Sequence, residues 1–127
     1  MYQYHENRKG KVSRGTGAKK VPYRDKRKYH VGNAPTHTRV SEQTVTKVKR
    51  TRGGNTKVVL KRASHANVAT PQGVKKVKIV QVLETPDPQL TRQNVIVKGA
   101  IIQTEIGKAK VTNRPGQEGV VNAVLIQ

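Results

Sequence analysis

Val74-Lys75-Lys76-Val77-Lys78-Ile79-Val80-Gln81-Val82-Leu83 is the stretch on which the fold turns. From Lys76 to Ile79 polar and apolar residues alternate, so the first half is expected to present one face to a core and the other to solvent or RNA. From Ile79 to Leu83 the run is nearly all apolar, as in a strand buried on both sides. The stretch stops at Glu84-Thr85-Pro86-Asp87-Pro88, where two prolines preclude further strand pairing and imply a surface loop.

Outward from this strand the same chemistry repeats. From Val40 onward the chain has 26 Val, Ile and Leu residues, valine dominating, in short groups separated by Gly, Pro, Asn and Thr. Such β-branched enrichment predicts strands at Thr44–Thr51, Thr56–Arg62, Val74–Leu83, Asn94–Val97, Ala100–Glu105, Lys108–Thr112 and Gly119–Ile126. No window of helical length keeps apolar spacing of three and four residues without an interruption by Gly, Pro or a β-branched cluster. Arg52-Gly53-Gly54-Asn55 supplies two adjacent residues that tolerate positive φ, a hairpin signal, and Arg114-Pro115-Gly116-Gln117 has the pattern of a type II turn with Gly116 at positive φ. Seven short strands with no helices between them imply an all-β fold, a small antiparallel β-barrel that removes its edges by closing. Its core is expected to be entirely aliphatic.

Residues 1–35 have a different composition. All four tyrosines, ten Lys and Arg and only two acids fall in the first thirty positions, and no aromatic follows Tyr29. Val12, Val21 and Val31 are scattered among charges, so the segment alone is expected to lack a core that could offset its ordering entropy. The division predicted is an extended basic tail over 1–38 and a β-barrel domain over 39–127. Of the net +19, residues 1–62 carry +15 (18 basic, 3 acidic) and residues 63–127 carry +4 (8 basic, 4 acidic). A charge imbalance confined to one half is a binding feature and implies a polyanion. Tyr2, Tyr4, Tyr23 and Tyr29 favour one with exposed base faces, and RNA fits best.

Other chemistry is absent from the pattern. There is no cysteine, so disulfides, thiolate metal sites and cysteine nucleophiles are excluded. His5, His30, His37 and His65 have no metal-ligand spacing, and only Glu84 and Asp87 among the acids are near one another, in a proline loop that suits two solvated carboxylates. Ile106-Gly107-Lys108-Ala109 lacks the hydroxyl residue and the earlier glycine of a phosphate-binding loop. No enzyme, no cofactor, no metal and no small-molecule substrate is expected. The first residues are polar and charged, and no long apolar run occurs, so neither a secretory leader nor a membrane span is expected and a cytoplasmic location follows.

The basic residues with interleaved Gly10, Gly15 and Gly17, which let phosphates approach the backbone, form the candidate site. The residues chosen for RNA contact are Arg8, Lys9, Lys11, Arg14, Lys19, Lys20, Arg24, Lys26, Arg27 and Lys28 in the tail and Arg50, Arg52 and Arg62 in the body. Tyr23 and Tyr29 are assigned to base stacking, with capping of the barrel an equal alternative for Tyr29. Lys47, Lys49, Lys57 and Lys61 make the whole first hairpin basic.

Ser13-Arg14-Gly15-Thr16-Gly17-Ala18, the stretch through Lys26-Arg27-Lys28-Tyr29, and Gly32 with Pro35-Thr36 resemble the N-terminal signature of the ribosomal protein S8e (eS8) family. Lys98-Gly99-Ala100-Ile101-Ile102, Thr104-Glu105, Gly107-Lys108-Ala109 and Val111 through Ala123 are similar to the same family further along. The resemblance covers nearly the whole chain, and the short length matches the archaeal form. It departs at His30, where the family usually has an acid, and before Thr16, where a proline is common. The resemblance implies a β-barrel body, a structural rather than catalytic role in the small ribosomal subunit, and partners that are small-subunit (16S-type) rRNA and other small-subunit proteins. A DNA-compacting chromatin protein and an RNA-modifying enzyme are the competing classes; tyrosines and glycines strung along a tail favour irregular RNA over uniform duplex, and no cofactor or carboxylate constellation supports catalysis.

Overall fold

A computed structural model describes residues 4–5, 15–17 and 31–126. The chain divides into two compact units, Met1–Pro35 and Thr36–Gln127. In the first, strand β1 (Tyr4–His5) pairs antiparallel with β2 (Val31–Gly32), Tyr4 opposite Gly32 and His5 opposite Val31. Of the expected 1–38 tail, residues 15–17 and 33–38 are also described, the last three belonging to the second unit with Thr38 buried in its first strand, and the remaining tail residues fall outside the described residues.

The second unit is built almost wholly of strands. They are β3 (Thr38–Val40), β4 (Val45–Arg50), β5 (Thr56–Ala63), β6 (His65–Thr70), β7 (Gly73–Glu84), β8 (Val95–Ile96), β9 (Ile101–Thr104), β10 (Lys108–Val111) and β11 (Asn122–Leu125). Five of them close a barrel in the order β10, β11, β6, β7, β9, and a four-stranded sheet runs β4, β5, β3, β8. A barrel of so few strands has a narrow interior that side chains must fill without leaving voids. Small residues therefore alternate with branched ones inside it: Ala66, Ala100, Ala109 and Ala123 share the core with Val68, Val77, Ile79, Ile102, Val111 and Val121. Apart from Pro115, the buried apolar side chains are all Val, Leu, Ile or Ala, so the core is aliphatic as expected.

Closure brings pairings that no local signal announces. β11 pairs with β6 in parallel, Ala123 opposite Val68, and β3 pairs with β5 in parallel, Arg39 opposite Arg62. The sheets are therefore mixed, not antiparallel throughout, because the last strand must meet a distant one to seal the barrel. β6 has the sequence HANVAT and was not foreseen. Alanine and asparagine are poor strand formers, yet Ala66 and Val68 alternate inward as a half-buried strand requires.

β7 corrects the reading of its second half. It pairs first with β6 and then with β9, with register shifts between Ile79 and Gln81 and between Val82 and Glu84. Val77, Ile79 and Val82 are buried, but Val80, the extra residue of the first shift, is 58% exposed. A bulge rather than two-sided burial explains the apolar run.

The proline signals end strands as expected but do not leave only loop. After Glu84, Asp87 caps a short helix α1 (Pro88–Arg92), its carboxylate accepting from the Gln89 N–H at 3.0 Å, with Pro88 in the first turn. Arg114-Pro115-Gly116-Gln117 is not a type II turn. Pro115 starts a helical turn, α2 (Pro115–Glu118), and Gly119, at φ 74°, terminates it, its N–H donating to the Pro115 carbonyl. Gly116 has no positive φ. Its lack of a side chain serves a close approach instead, since a Cβ there would lie 3.2 Å from the Thr36 carbonyl oxygen.

Candidate nucleic-acid interface

Twelve of the residues chosen from sequence, Arg8, Lys9, Lys11, Arg14, Lys19, Lys20, Tyr23, Arg24, Lys26, Arg27, Lys28 and Tyr29, lie outside the described residues. Arg50, Arg52 and Arg62 all belong to the β4–β5 hairpin and its tip. From Gln43 to Ala63 this element carries seven cations, Lys47, Lys49, Arg50, Arg52, Lys57, Lys61 and Arg62, and no acid.

Its geometry follows from alternation along two paired strands. Lys49 lies opposite Lys57 and Arg50 opposite Thr56. Like charges directly opposite one another destabilise a ladder unless something engages them. Here the protein does so in part: Lys49 Nζ donates to Thr36 Oγ1 at 3.0 Å and Lys57 Nζ to Gln117 Oε1 at 3.1 Å. The two lysines thus help to hold the approach to β3 and the turn α2 against the hairpin. At the tip, Thr51 donates from its N–H to the Asn55 carbonyl, and Gly53 and Gly54 take φ 77° and 79°. The expected positive-φ pair is there, within a short 3-10 turn over Arg52–Gly54.

Arg50 and Arg52 stand together at this tip, whereas Arg62 is at the far end of β5. There the parallel pairing sets Arg62 beside Arg39, both exposed. Arg39 escaped the sequence reading because 23 positions separate the two; only the parallel register joins them. Two arginines in register on neighbouring strands can share an anion. The hairpin base is pinned below them: the buried Ser64 hydroxyl lies 2.7 Å from Thr44 Oγ1 and 2.7 Å from His65 Nδ1. This serine and histidine are chain neighbours, and a hydroxyl 3% exposed is closed to a substrate.

A second set of lysines lines the outside of the barrel. Lys76 is opposite Asn67, Lys78 opposite His65, and Lys108 opposite Gln103, all three lysines exposed. Among the described residues no three His, Cys, Asp or Glu side chains are grouped to hold a metal ion, and no helix is long and apolar enough to cross a membrane. The arrangement suits neutralisation of a polyanion by a rigid folded body.

Residues 7–126 match the family described as Ribosomal protein S8e. The chain is 48% identical to small ribosomal subunit protein eS8 of Sulfolobus acidocaldarius, over 100% of this chain and 99% of that protein. It is 52% identical to the eS8 of Hyperthermus butylicus, over 100% of this chain and 94% of the relative. Against the eS8 of Ignicoccus hospitalis the identity is 53%, over 88% and 89%.

Proposed function

The chain belongs to the ribosomal protein S8e family, and on that premise we propose that it is a structural constituent of the small ribosomal subunit that binds and stabilises small-subunit rRNA through a basic N-terminal tail and the surface of its barrel domain. The family is one of ribosomal structural proteins, so the chain is not an enzyme, and its place is the cytoplasmic ribosome. Its partners are 16S-type rRNA and neighbouring small-subunit proteins. Archaeal relatives of similar length, covered over 99% and 94% of their own chains, support the archaeal form of the family.

The observation that carries the rRNA reading is the hairpin with seven cations and no acid. Two arginine pairs support phosphate contact in this reading, Arg50 with Arg52 at the tip and Arg39 with Arg62 at the base. Residues 1–38 form the tail of this reading and supply ten more Lys and Arg. Counterion release on phosphate neutralisation would drive association and allow rRNA helices to pack closely. Sedimentation of the tagged chain in an archaeal cell extract tests the assignment. Comigration with small subunits at low salt, and release as salt is raised, is expected; a chain that stays at the top of the gradient at low salt removes the ribosomal role.

A further inference from the structure

Val48 and Val58 face one another in the β4–β5 ladder, and they are 64% and 48% exposed. On the same face, two positions toward the base, Thr46 lies opposite the buried Leu60; two positions toward the tip, Arg50 lies opposite Thr56. Alternation puts Lys49 and Lys57 on the other face, where Thr36 and Gln117 accept from them. Among the described residues no side chain holds Arg50 or Arg52. The turn α2 leads to this neighbourhood as well: a Cβ at Gly119 would fall 2.8 Å from Val58 Cγ1, and the next residue, Val120, is 45% exposed.

Strand propensity does not require valine here, because threonine serves in the wet positions of the same face at Thr46 and Thr56. An exposed apolar pair beside two arginines and a Gly53-Gly54 tip has the chemistry of a nucleotide. Phosphates meet the guanidinium groups, glycines let the strand approach the backbone, and an apolar surface meets the face of a base. Base faces are hidden in an A-form helix and exposed in loops and bulges. No Phe, Tyr or Trp occurs after Tyr29 and this face of the hairpin holds no histidine, so its apolar surface is aliphatic.

We propose that this face of the hairpin is a platform for an unpaired nucleotide of rRNA, with Val48 and Val58 covering the base and Arg50 and Arg52 holding the flanking phosphates. It rests on the rRNA-binding reading above and adds to it a class of nucleotide and a division of labour. Contact through valine is insensitive to salt, whereas each phosphate contact contributes roughly 0.7–0.9 to the slope of log affinity against log salt.

The test measures binding of the full chain to a transcript of Sulfolobus acidocaldarius 16S rRNA across a salt series, with a perfectly paired RNA duplex in parallel and thermal melting to establish folding. Val48→Thr/Val58→Thr keeps β-branching and is expected to lose about tenfold in affinity for rRNA at every salt concentration, with the slope unchanged and duplex binding unaffected. Arg50→Gln/Arg52→Gln is expected to reduce the slope by roughly 1.4–1.8. If the wild-type chain does not bind the transcript, the rRNA reading itself fails. If it binds and the valine variant binds equally, or if the valine variant loses as much on duplex, only the platform is overturned. A Val48→Arg variant that gains affinity would also overturn it, since charge alone would then govern this face. So would a valine variant that binds rRNA normally but no longer enters small subunits, because the face would then belong to a protein neighbour.

Discussion

The barrel and the β4–β5 hairpin use the same residue for opposite ends. In the barrel, Val68, Val77 and Val111 are buried against alanines in a closed ring of five strands. In the hairpin, Val48 and Val58 face each other in the open, within an element that carries seven cations and no acid. Ring closure explains the contrast: every barrel strand has neighbours on both sides and one face turned to a common interior, whereas β4 is the last strand of its sheet and extends beyond the core at its tip. Valine in the first region stabilises by leaving water, and in the second it is available for contact.

Removal of the first 35 residues provides the broadest test of which part binds. It deletes ten Lys and Arg and two acids but no member of the aliphatic core, which begins at Val40. The truncated chain is expected to keep cooperative melting and a β circular-dichroism signal while losing about a hundredfold or more in rRNA affinity at low salt, from which several phosphate contacts are gone. Equal affinity would transfer the main binding role to the hairpin; loss of folding would merge the two regions.

Within the body, the barrel should be far more sensitive than the hairpin to loss of apolar volume. Ile102→Ala, at a site with 0% exposure, is expected to cost about 2–5 kcal/mol in chemical denaturation. Val48→Ala should remain within about 0.5 kcal/mol of wild type. Comparable losses would show that the hairpin tip is part of the core.

Two glycines probe the join between these regions. Gly119→Ala places a Cβ 2.8 Å from Val58 Cγ1 on a backbone at φ 74°, so both crowding and conformation oppose it, and a loss of about 2–3 kcal/mol is expected. Gly116→Ala meets Thr36 at 3.2–3.3 Å without a positive φ and should cost about 1 kcal/mol. The reverse order, again by denaturation, would restore the turn conformation that the sequence suggested for Gly116.

An effect like that at Gly116 is expected at Thr38, which lies inside the proposed 1–38 tail yet is buried in β3 and donates from Oγ1 to the Leu60 carbonyl at 2.7 Å. Thr38→Val keeps the shape, loses that bond and should cost about 1 kcal/mol, leaving the Leu60 carbonyl short of a partner. A neutral result would make the Thr38 bond dispensable to the sheet, and truncation through residue 38 would then be no worse than truncation through 35.

Sequence alone determined the class of this molecule. Short valine-rich groups separated by Gly and Pro read as strands, Arg52-Gly53-Gly54-Asn55 reads as a tight reversal, and cations at this density with few acids point to a polyanion. Family motifs at both ends of the chain were legible for the same reason, because each is a local string. What the tertiary structure decided was everything that depends on distant partners. The parallel seal between β11 and β6, the inward alternation of the weak strand HANVAT and the exposure of Val80 at a bulge belong to the closed barrel, and the meeting of Arg39 with Arg62 belongs to the parallel register of β3 on β5 in the second sheet. Local propensity sets which segments extend; which face each one buries, and which distant cation it meets, is set by the register of strands far apart in sequence, in the barrel by closing five strands around a narrow core and in the second sheet by the pairing of β3 with β5.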